Sequence, residues 1–303
     1  MEQPAEGTDR TRPLQAVTGA TNLLSRVGLP SARVDAEILA AHVLGVPRGR
    51  LALVDGFTGE RLAEFDALVA RRAAGEPVQH LVGSAGFRHL ELAVGPGVFV
   101  PRPETELLAG WAITLISPGS TVVDLCGGSG AIALAVANEV PGALVYAVER
   151  APAALPWLRR NAEERARAGD TPIHVVEGDV TDPAVLAEFD GRVDAVLCNP
   201  PYVPAGVAVP ADVADHDPRD AVFAGEDGLA VIRPVIARAA ALLRPGGIFA
   251  VEHDDSHGMV VPALLRADGH FTDIEDHRDL AGRWRYATAT RTRGVGSEHR
   301  RER

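Results

Sequence analysis

From Leu14 to Ala74 apolar side chains return at the spacing of helix faces: Leu23, Leu24 and Val27, then Ile38, Leu39 and Val43 with His42 among them, then Leu62, Phe65, Leu68 and Val69. The spacing predicts a small helical bundle. Leu29-Pro30-Ser31 and Val46-Pro47 punctuate it, and Ser31 stands where an N-cap would. Between Val78 and Pro101 the pattern shortens to β-prone pieces broken by glycines. Phe87 to Val94, the turn Gly95-Pro96-Gly97 and then Val98 to Val100 predict a hairpin linking two domains. Beyond Glu106 apolar runs alternate with helical stretches. Strands are predicted at Thr121 to Leu125, Leu144 to Val148, Ile173 to Glu177, Val193 to Cys198 and Ile248 to Glu252, with helices beginning near Ala131, Pro152, Asp182 and Gly228. Such alternation over about 150 residues means an α/β core, a parallel sheet covered on both faces. No internal repeat is visible. Segments 1–13 and 291–303 read as loose, disordered ends; the second carries five arginines against two glutamates, a solvated basic tail.

Composition narrows the partners. The 303 residues are 46% apolar and 23% charged, a balance that supports a packed core, and the length suits a main domain plus a smaller one. The net charge is −11, and every cationic side chain of the Lys/Arg class is an arginine, because the chain has no lysine. A general grip on nucleic acid is therefore not expected. Cys126 and Cys198 cannot make a disulfide framework, and no CxxC or Cys/His cluster offers a structural metal site. The N-terminus is polar, and no run of about 18 apolar residues occurs. The expectation is a soluble, cytoplasmic protein with no membrane partner, acting as a monomer.

Open α/β sheets bind ligands at the carboxyl ends of their strands, so those ends are where chemistry is sought. The first reads Asp124-Leu125-Cys126-Gly127-Gly128-Ser129-Gly130, a glycine loop running into a helix. Glycines let backbone approach a ligand, although a purely structural tight turn would read the same way. It is neither a dinucleotide fingerprint nor a P-loop. Glu149 ends the second strand, placed to accept from both hydroxyls of a ribose or to sit as a solvated carboxylate at a helix start. Gly178-Asp179-Val180 ends the third; Asp179 could accept from an exocyclic adenine amine or cap the next helix. Together the three ends describe a pocket for an adenosine whose tail lies on the glycine loop.

The fourth end, Asn199-Pro200-Pro201-Tyr202, is the specific one. Two consecutive prolines force the chain out of the sheet with fixed φ. An asparagine side-chain oxygen beside a rigid carbonyl makes a pair of acceptors suited to a planar –NH₂ group. The lone pair of such a nitrogen is delocalised, so methylating it is hard. Accepting both N–H bonds can aim the lone pair at an incoming methyl and stabilise the positive charge that develops. Tyr202 would pack against the flat target.

At these residues the chain resembles the class I S-adenosylmethionine-dependent methyltransferases that act on amino groups. The junction Phe99-Val100-Pro101-Arg102-Pro103-Glu104-Thr105-Glu106 narrows the resemblance to the HemK-like protein-glutamine methyltransferases, with further agreement at Arg71 to Pro77 and Gly225 to Leu229. The similarity runs from about residue 14 to 290. It implies a seven-strand Rossmann-like core with an antiparallel last strand, preceded by an all-helical domain and a β-hairpin linker. The implied limits are 14–79 for a helical substrate-recognition domain, 80–102 for the linker and 103–290 for the methyltransferase domain. It implies S-adenosylmethionine, with S-adenosylhomocysteine as product, held by Asp124, Cys126, Gly127, Gly128, Ser129, Gly130, Glu149, Asp179, Val180 and Asn199. Asn199, Pro200, Pro201 and Tyr202 would carry catalysis, with no metal. The implied acceptor is the Gly-Gly-Gln glutamine of a peptide-chain release factor.

The chain departs from that family at three places. Cys126 stands where the glycine loop usually has its first glycine; it either presses on the methionine end of the cofactor or is a small apolar neighbour. Glu252-His253-Asp254-Asp255-Ser256-His257 is more charged than usual, and its histidines lack a third ligand for a metal. After Asp279-Leu280-Ala281-Gly282-Arg283-Trp284 the family pattern is left. The competing readings are the same chemistry on another protein, methylation of adenine or cytosine amino groups, and a non-catalytic cofactor-binding protein.

Overall fold

The computed structural model describes residues 10–293 and divides into two units. The helical unit runs to Ser84 and also takes in the later segment Pro210–His216. It holds α1 (Pro13–Arg26), α2 (Ala32–Leu44), α3 (Gly59–Ala73) and α4 (Val78–Val82). Their apolar faces bury Val17, Leu24, Leu39, Phe57 and Phe65, the last two with rings stacked 5.1 Å apart. Ser31 occupies the N-cap of α2, but its side chain makes no cap bond. The Arg71-to-Pro77 motif holds the helical unit together. Arg72 Nε donates to buried Asp35 over 2.7 Å, and Arg71 donates to Glu76. Of the ends expected to be loose, 1–9 and 294–303 lie outside the described residues. The rest is ordered: Thr11 exchanges backbone hydrogen bonds with Phe57, and Arg291 closes the last strand with its Nε on the Ala240 carbonyl.

The larger unit opens with a two-stranded hairpin, β1 (Ser84–Phe87) and β2 (Leu90–Ala93). This corrects the expected hairpin: the chain reverses at Arg88-His89, and 98–100 form no strand. Arg88 takes a left-handed φ of 51°, held there because its guanidinium clasps Glu139 and donates to the Glu106 carbonyl. Then follow α5 (Thr105–Ile113), β3 (Thr121–Asp124), α6 (Ala131–Glu139), β4 (Leu144–Glu149), α7 (Leu155–Arg167), β5 (His174–Glu177) and β6 (Val193–Cys198). After α8 (Ala211–His216), which belongs to the helical unit, come α9 (Arg219–Val222), α10 (Ile232–Leu242), β7 (Leu243–Glu252), α11 (Val260–Asp268), β8 (Phe271–Arg278) and β9 (Trp284–Arg291). No helix forms at Asp182. Asp179 and Asp182 bond the backbone two residues on, at Thr181 and Ala184, which favours turns, and only a short 3₁₀ turn at Ala187–Phe189 follows.

Strands β3 to β9 make one sheet in the order β5-β4-β3-β6-β7-β9-β8. Pairing is parallel from β5 to β7, while β9 runs antiparallel to both neighbours. Successive residues point to opposite faces, as the pleat requires. Val122, Ala147 and Ala195 join α5 and α6 on one side; Val123, Val148 and Val196 join α10 and α11 on the other. With both faces buried, only the sheet's ends can receive a ligand. No described helix is long and apolar enough to cross a membrane.

Candidate cofactor and acceptor site

Along the carboxyl edge of the sheet stand, in spatial order, Asp179, Glu149, the Asp124-to-Gly130 loop, Asn199 and Glu252. Asp124 is 1% exposed. Its carboxylate accepts from the N–H groups of Cys126 (3.4 Å) and Ala133 (3.3 Å), clamping the loop to the first turn of α6. Burial, only partly offset by those bonds, raises its pKa from 3.8 to about 7. Gly130 turns the loop into α6 with φ +91°, where a Cβ would come within 2.8 Å of Leu158 and 2.9 Å of Leu134. At Gly128 a Cβ would meet nothing within 4 Å, so this part of the loop faces open space. Ser129 is buried, and its carbonyl accepts from Asn161 of α7.

Glu149 binds the loop to its own strand end. Its Oε2 accepts from the Gly128 N–H over 2.8 Å and its Oε1 from the Ala151 N–H over 2.6 Å. Each oxygen has a second lone pair, so the carboxylate keeps acceptor capacity. The neighbouring turn is drawn in by Gly178 N–H on the Glu149 carbonyl. Asp179 is more engaged than the sequence suggests: Thr181 N–H and Oγ1 donate to one oxygen, and Arg150 to the other. Those bonds outweigh the cost of partial burial and hold its carboxyl below the usual range. Val180 is buried against the core beside Val123 and Leu125, so only its backbone is available to a ligand.

Cys126 is partly buried and Cys198 fully so; burial first, and then the neighbouring Cys126, push the Cys198 thiol well up. Among the described residues both cysteines are free. Leu125 N–H donates to the Leu197 carbonyl over 3.0 Å. The glycine loop and the Asn199-Pro200-Pro201-Tyr202 turn therefore leave adjacent parallel strands within a few residues of one shared bond.

Asn199 Nδ2 donates to Thr105 Oγ1 over 3.1 Å, and Thr105 Oγ1 donates to Glu252 Oε2 over 2.7 Å. Tyr202 OH donates to the other oxygen of Glu252 over 2.8 Å. Glu252 is 1% exposed, and burial raises its pKa despite these donors and the nearby Arg285. The Tyr202 phenol is pushed well up by burial and by Glu252, so it stays a donor. Gly228 closes the turn from below: at φ +73° its missing Cβ would sit 2.3 Å from the Tyr202 carbonyl oxygen. His253 and His257 do not converge. The first faces Asp276 over 3.0 Å and the second the Asp227 carbonyl over 2.9 Å.

Thr105, Glu252, Asn161 and Gly228 escaped the reading of strand ends. Thr105 and Glu252 are 147 positions apart, and nothing local in either stretch announces the other. Their only sequence signal was that Thr105 lies in the Phe99-to-Glu106 junction and that Glu252 ends a strand.

Two family models match the chain, the PrmC N-terminal domain over residues 15–83 and the methyltransferase small domain over residues 103–216. A release factor glutamine methyltransferase of Mycolicibacterium smegmatis is 52% identical, covering 93% of this chain and 98% of its own. One from Streptomyces coelicolor is 48% identical over 91% and 97%. A 4-amino-L-phenylalanine/4-methylamino-L-phenylalanine methyltransferase of Streptomyces pristinaespiralis is 40% identical over 85% and 88%. Among solved structures, a T. thermophilus 16S rRNA methyltransferase with AdoMet and guanosine shares the fold at a TM-score of 0.50, with 24% identity over 69% of this chain and 50% of that one.

Proposed function

The chain belongs to the release factor glutamine methyltransferase family, and from that premise we propose that it methylates the side-chain amide nitrogen of the Gly-Gly-Gln glutamine of a peptide-chain release factor. S-adenosylmethionine would be the donor, supplying an electrophilic methyl on a sulfonium sulfur that departs with the bonding electron pair. The residues present fit it: an open glycine turn at Gly128, a carboxylate at Glu149 with acceptor capacity left, and Asp179 on the next strand end. Glu149 would hold the ribose hydroxyls, Asp179 and the Val180 backbone the adenine edge, and Asp124 to Gly130 the methionine end.

What carries the reading is the shared bond between Leu125 and Leu197, which supports a donor loop and an acceptor turn side by side. Asn199 Oδ1 and the Pro200 carbonyl accept the two N–H bonds of the target amide, orient its lone pair and stabilise charge as the nitrogen becomes tetrahedral. The proton then leaves to water, so no strong base is needed. Tyr202, its phenol held by Glu252, presents a fixed ring to the flat amide. Among the described residues the helical unit carries no comparable polar constellation, and its role is to choose the protein substrate. The enzyme works in the cytoplasm as a monomer, without stable nucleic-acid or membrane partners.

The test is incubation of the pure enzyme with methyl-labelled cofactor and separate protein, RNA, DNA and small-molecule fractions. Label on a release-factor glutamine, lost when that glutamine is replaced by alanine, supports the reading. Label on nucleic acid or on a free aromatic amine overturns the acceptor.

A further inference from the structure

The polar chain behind the acceptor turn has a direction, and the direction has a consequence. A hydroxyl owns one proton. Thr105 gives its proton to the Glu252 carboxylate, an acceptor-only group when ionised, and so can meet Asn199 only as an acceptor. That forces the Asn199 amide to turn its NH₂ inward to Thr105 and its Oδ1 away. Reverse the chain and Thr105 would donate to Oδ1, leaving the NH₂ of Asn199 facing the target. Two NH₂ groups would then meet donor to donor. Tyr202 is anchored on the same carboxylate, so one buried group orients both side chains of the acceptor turn.

We propose that Thr105 and Glu252 are positioning residues for methyl transfer, fixing through the Asn199–Thr105–Glu252–Tyr202 network which face of the Asn199 amide meets the acceptor nitrogen. The proposal rests on the acceptor reading above, in that an –NH₂ is the group recognised. Neither residue touches the transferred methyl. A carboxylate held this way needs all its partners, because a buried polar chain that is half satisfied is costly. Its four members come from three separate places: the start of α5, the turn after β6, which supplies Asn199 and Tyr202, and the end of β7. A single rotation of Asn199 is what they jointly prevent.

The experiment pairs Thr105→Val, which keeps the shape and removes the hydroxyl, with Thr105→Ser, which keeps the hydroxyl. In the full-length enzyme, Thr105→Val should lower kcat by about 10- to 100-fold while leaving cofactor Kd within about 2-fold, and Thr105→Ser should recover kcat to within about 3-fold of the parent. Glu252→Gln should lose kcat in the same way, since an amide nitrogen facing Thr105 can reverse the chain. Because that buried variant can also fail to fold, the threonine pair decides. Nuclear magnetic resonance gives a readout that needs no acceptor: the Asn199 side-chain NH₂ protons should exchange slowly with solvent in the parent and in Thr105→Ser, and faster in Thr105→Val. Equal kcat in all three, equal losses in both threonine variants, or an unchanged Asn199 exchange rate overturns the proposal. If the parent methylates an amine other than a glutamine amide, the proposed substrate fails, yet the valine-to-serine ratio on that amine still tests the network.

Discussion

The Gly128 N–H donates to Glu149 Oε2 over 2.8 Å and, with the Gly127 N–H on the Val148 carbonyl, ties the glycine loop after β3 to the end of β4. Glu149 thus shapes the loop, and its remaining lone pairs are what the proposed cofactor site would use. Glu149→Ala should remove a charge-assisted pair to ribose, a loss of about 1.5 to 3 kcal/mol, roughly 10- to 150-fold in cofactor affinity. Calorimetry with S-adenosylhomocysteine measures it. Unchanged affinity would remove Glu149 from the cofactor site. Glu149→Gln separates the two roles, since it keeps one acceptor for Gly128 and loses the charge.

Asn199 should matter to turnover far more than to cofactor affinity. In the proposed reaction its Oδ1 would accept from the acceptor nitrogen, a bond that strengthens as positive charge builds there. Asn199→Ala should lower kcat by about 10² to 10³, comparable to removing one preorganised donor from an oxyanion hole. Steady-state kinetics with cofactor Kd measured in parallel checks this, and near-normal turnover would contradict it.

Strands β3 to β7 are legible from their short apolar runs, whereas β8 and β9 are not: Phe271–Arg278 is mostly polar and buried only at Phe271, and neither it nor Trp284–Arg291 presents a continuous apolar run. Val193 to Cys198 was read to the residue. The hairpin was misplaced because Gly95-Pro96-Gly97 looks like a stronger turn than Arg88-His89, whose reversal depends on an ion pair to Glu139, 51 positions away. Gly95 is needed for a different reason: a Cβ there would strike Trp157 at 2.6 Å. In the site, the residues proposed to face a ligand stand at strand ends, where strand order alone points to them. The residues that hold them, Thr105 and Glu252, act through tertiary proximity that no spacing encodes.

Asp35 and Arg72 are both at most 5% exposed and bonded over 2.7 Å inside the helical unit. Removing one partner leaves the other charge buried and unpaired. Asp35→Ala should therefore cost about 3 to 5 kcal/mol, while Glu164→Ala, which breaks the exposed pair with Arg160, should cost under about 1 kcal/mol. Hydrogen exchange of α2 and α3 amides would locate the first effect in the helical unit. Equal effects of the two substitutions would argue against a structural ion pair there.

Asp124 sets a pH dependence whose sign follows from its environment. Its folded pKa, about 7 against 3.8 for the free side chain, means that the folded protein holds a proton the unfolded chain has already released. Between these two values the unfolded state binds fewer protons, so stability falls as pH rises. The slope is about 1.4 kcal/mol per pH unit, reaching about 4 kcal/mol before levelling off above pH about 7. Glu252, also raised by burial, acts in the same direction. Carboxylates held low, such as Asp170 and Asp279, act with the opposite sign and at lower pH: their contribution is present above the ordinary carboxylate range and is lost as pH falls through their own depressed values. Urea unfolding at about pH 5 and about pH 7.5 should therefore show the parent losing stability at the higher pH, and Asp124→Asn losing much less. The asparagine variant should also be less stable overall, since it sets an NH₂ donor against one of the two N–H groups, of Cys126 and Ala133, that separate carboxylate oxygens now serve. A parent slope that persists unchanged in Asp124→Asn would show that the carboxyl ionises freely where it stands, and that the clamp on the glycine loop does not carry the burial cost assigned to it.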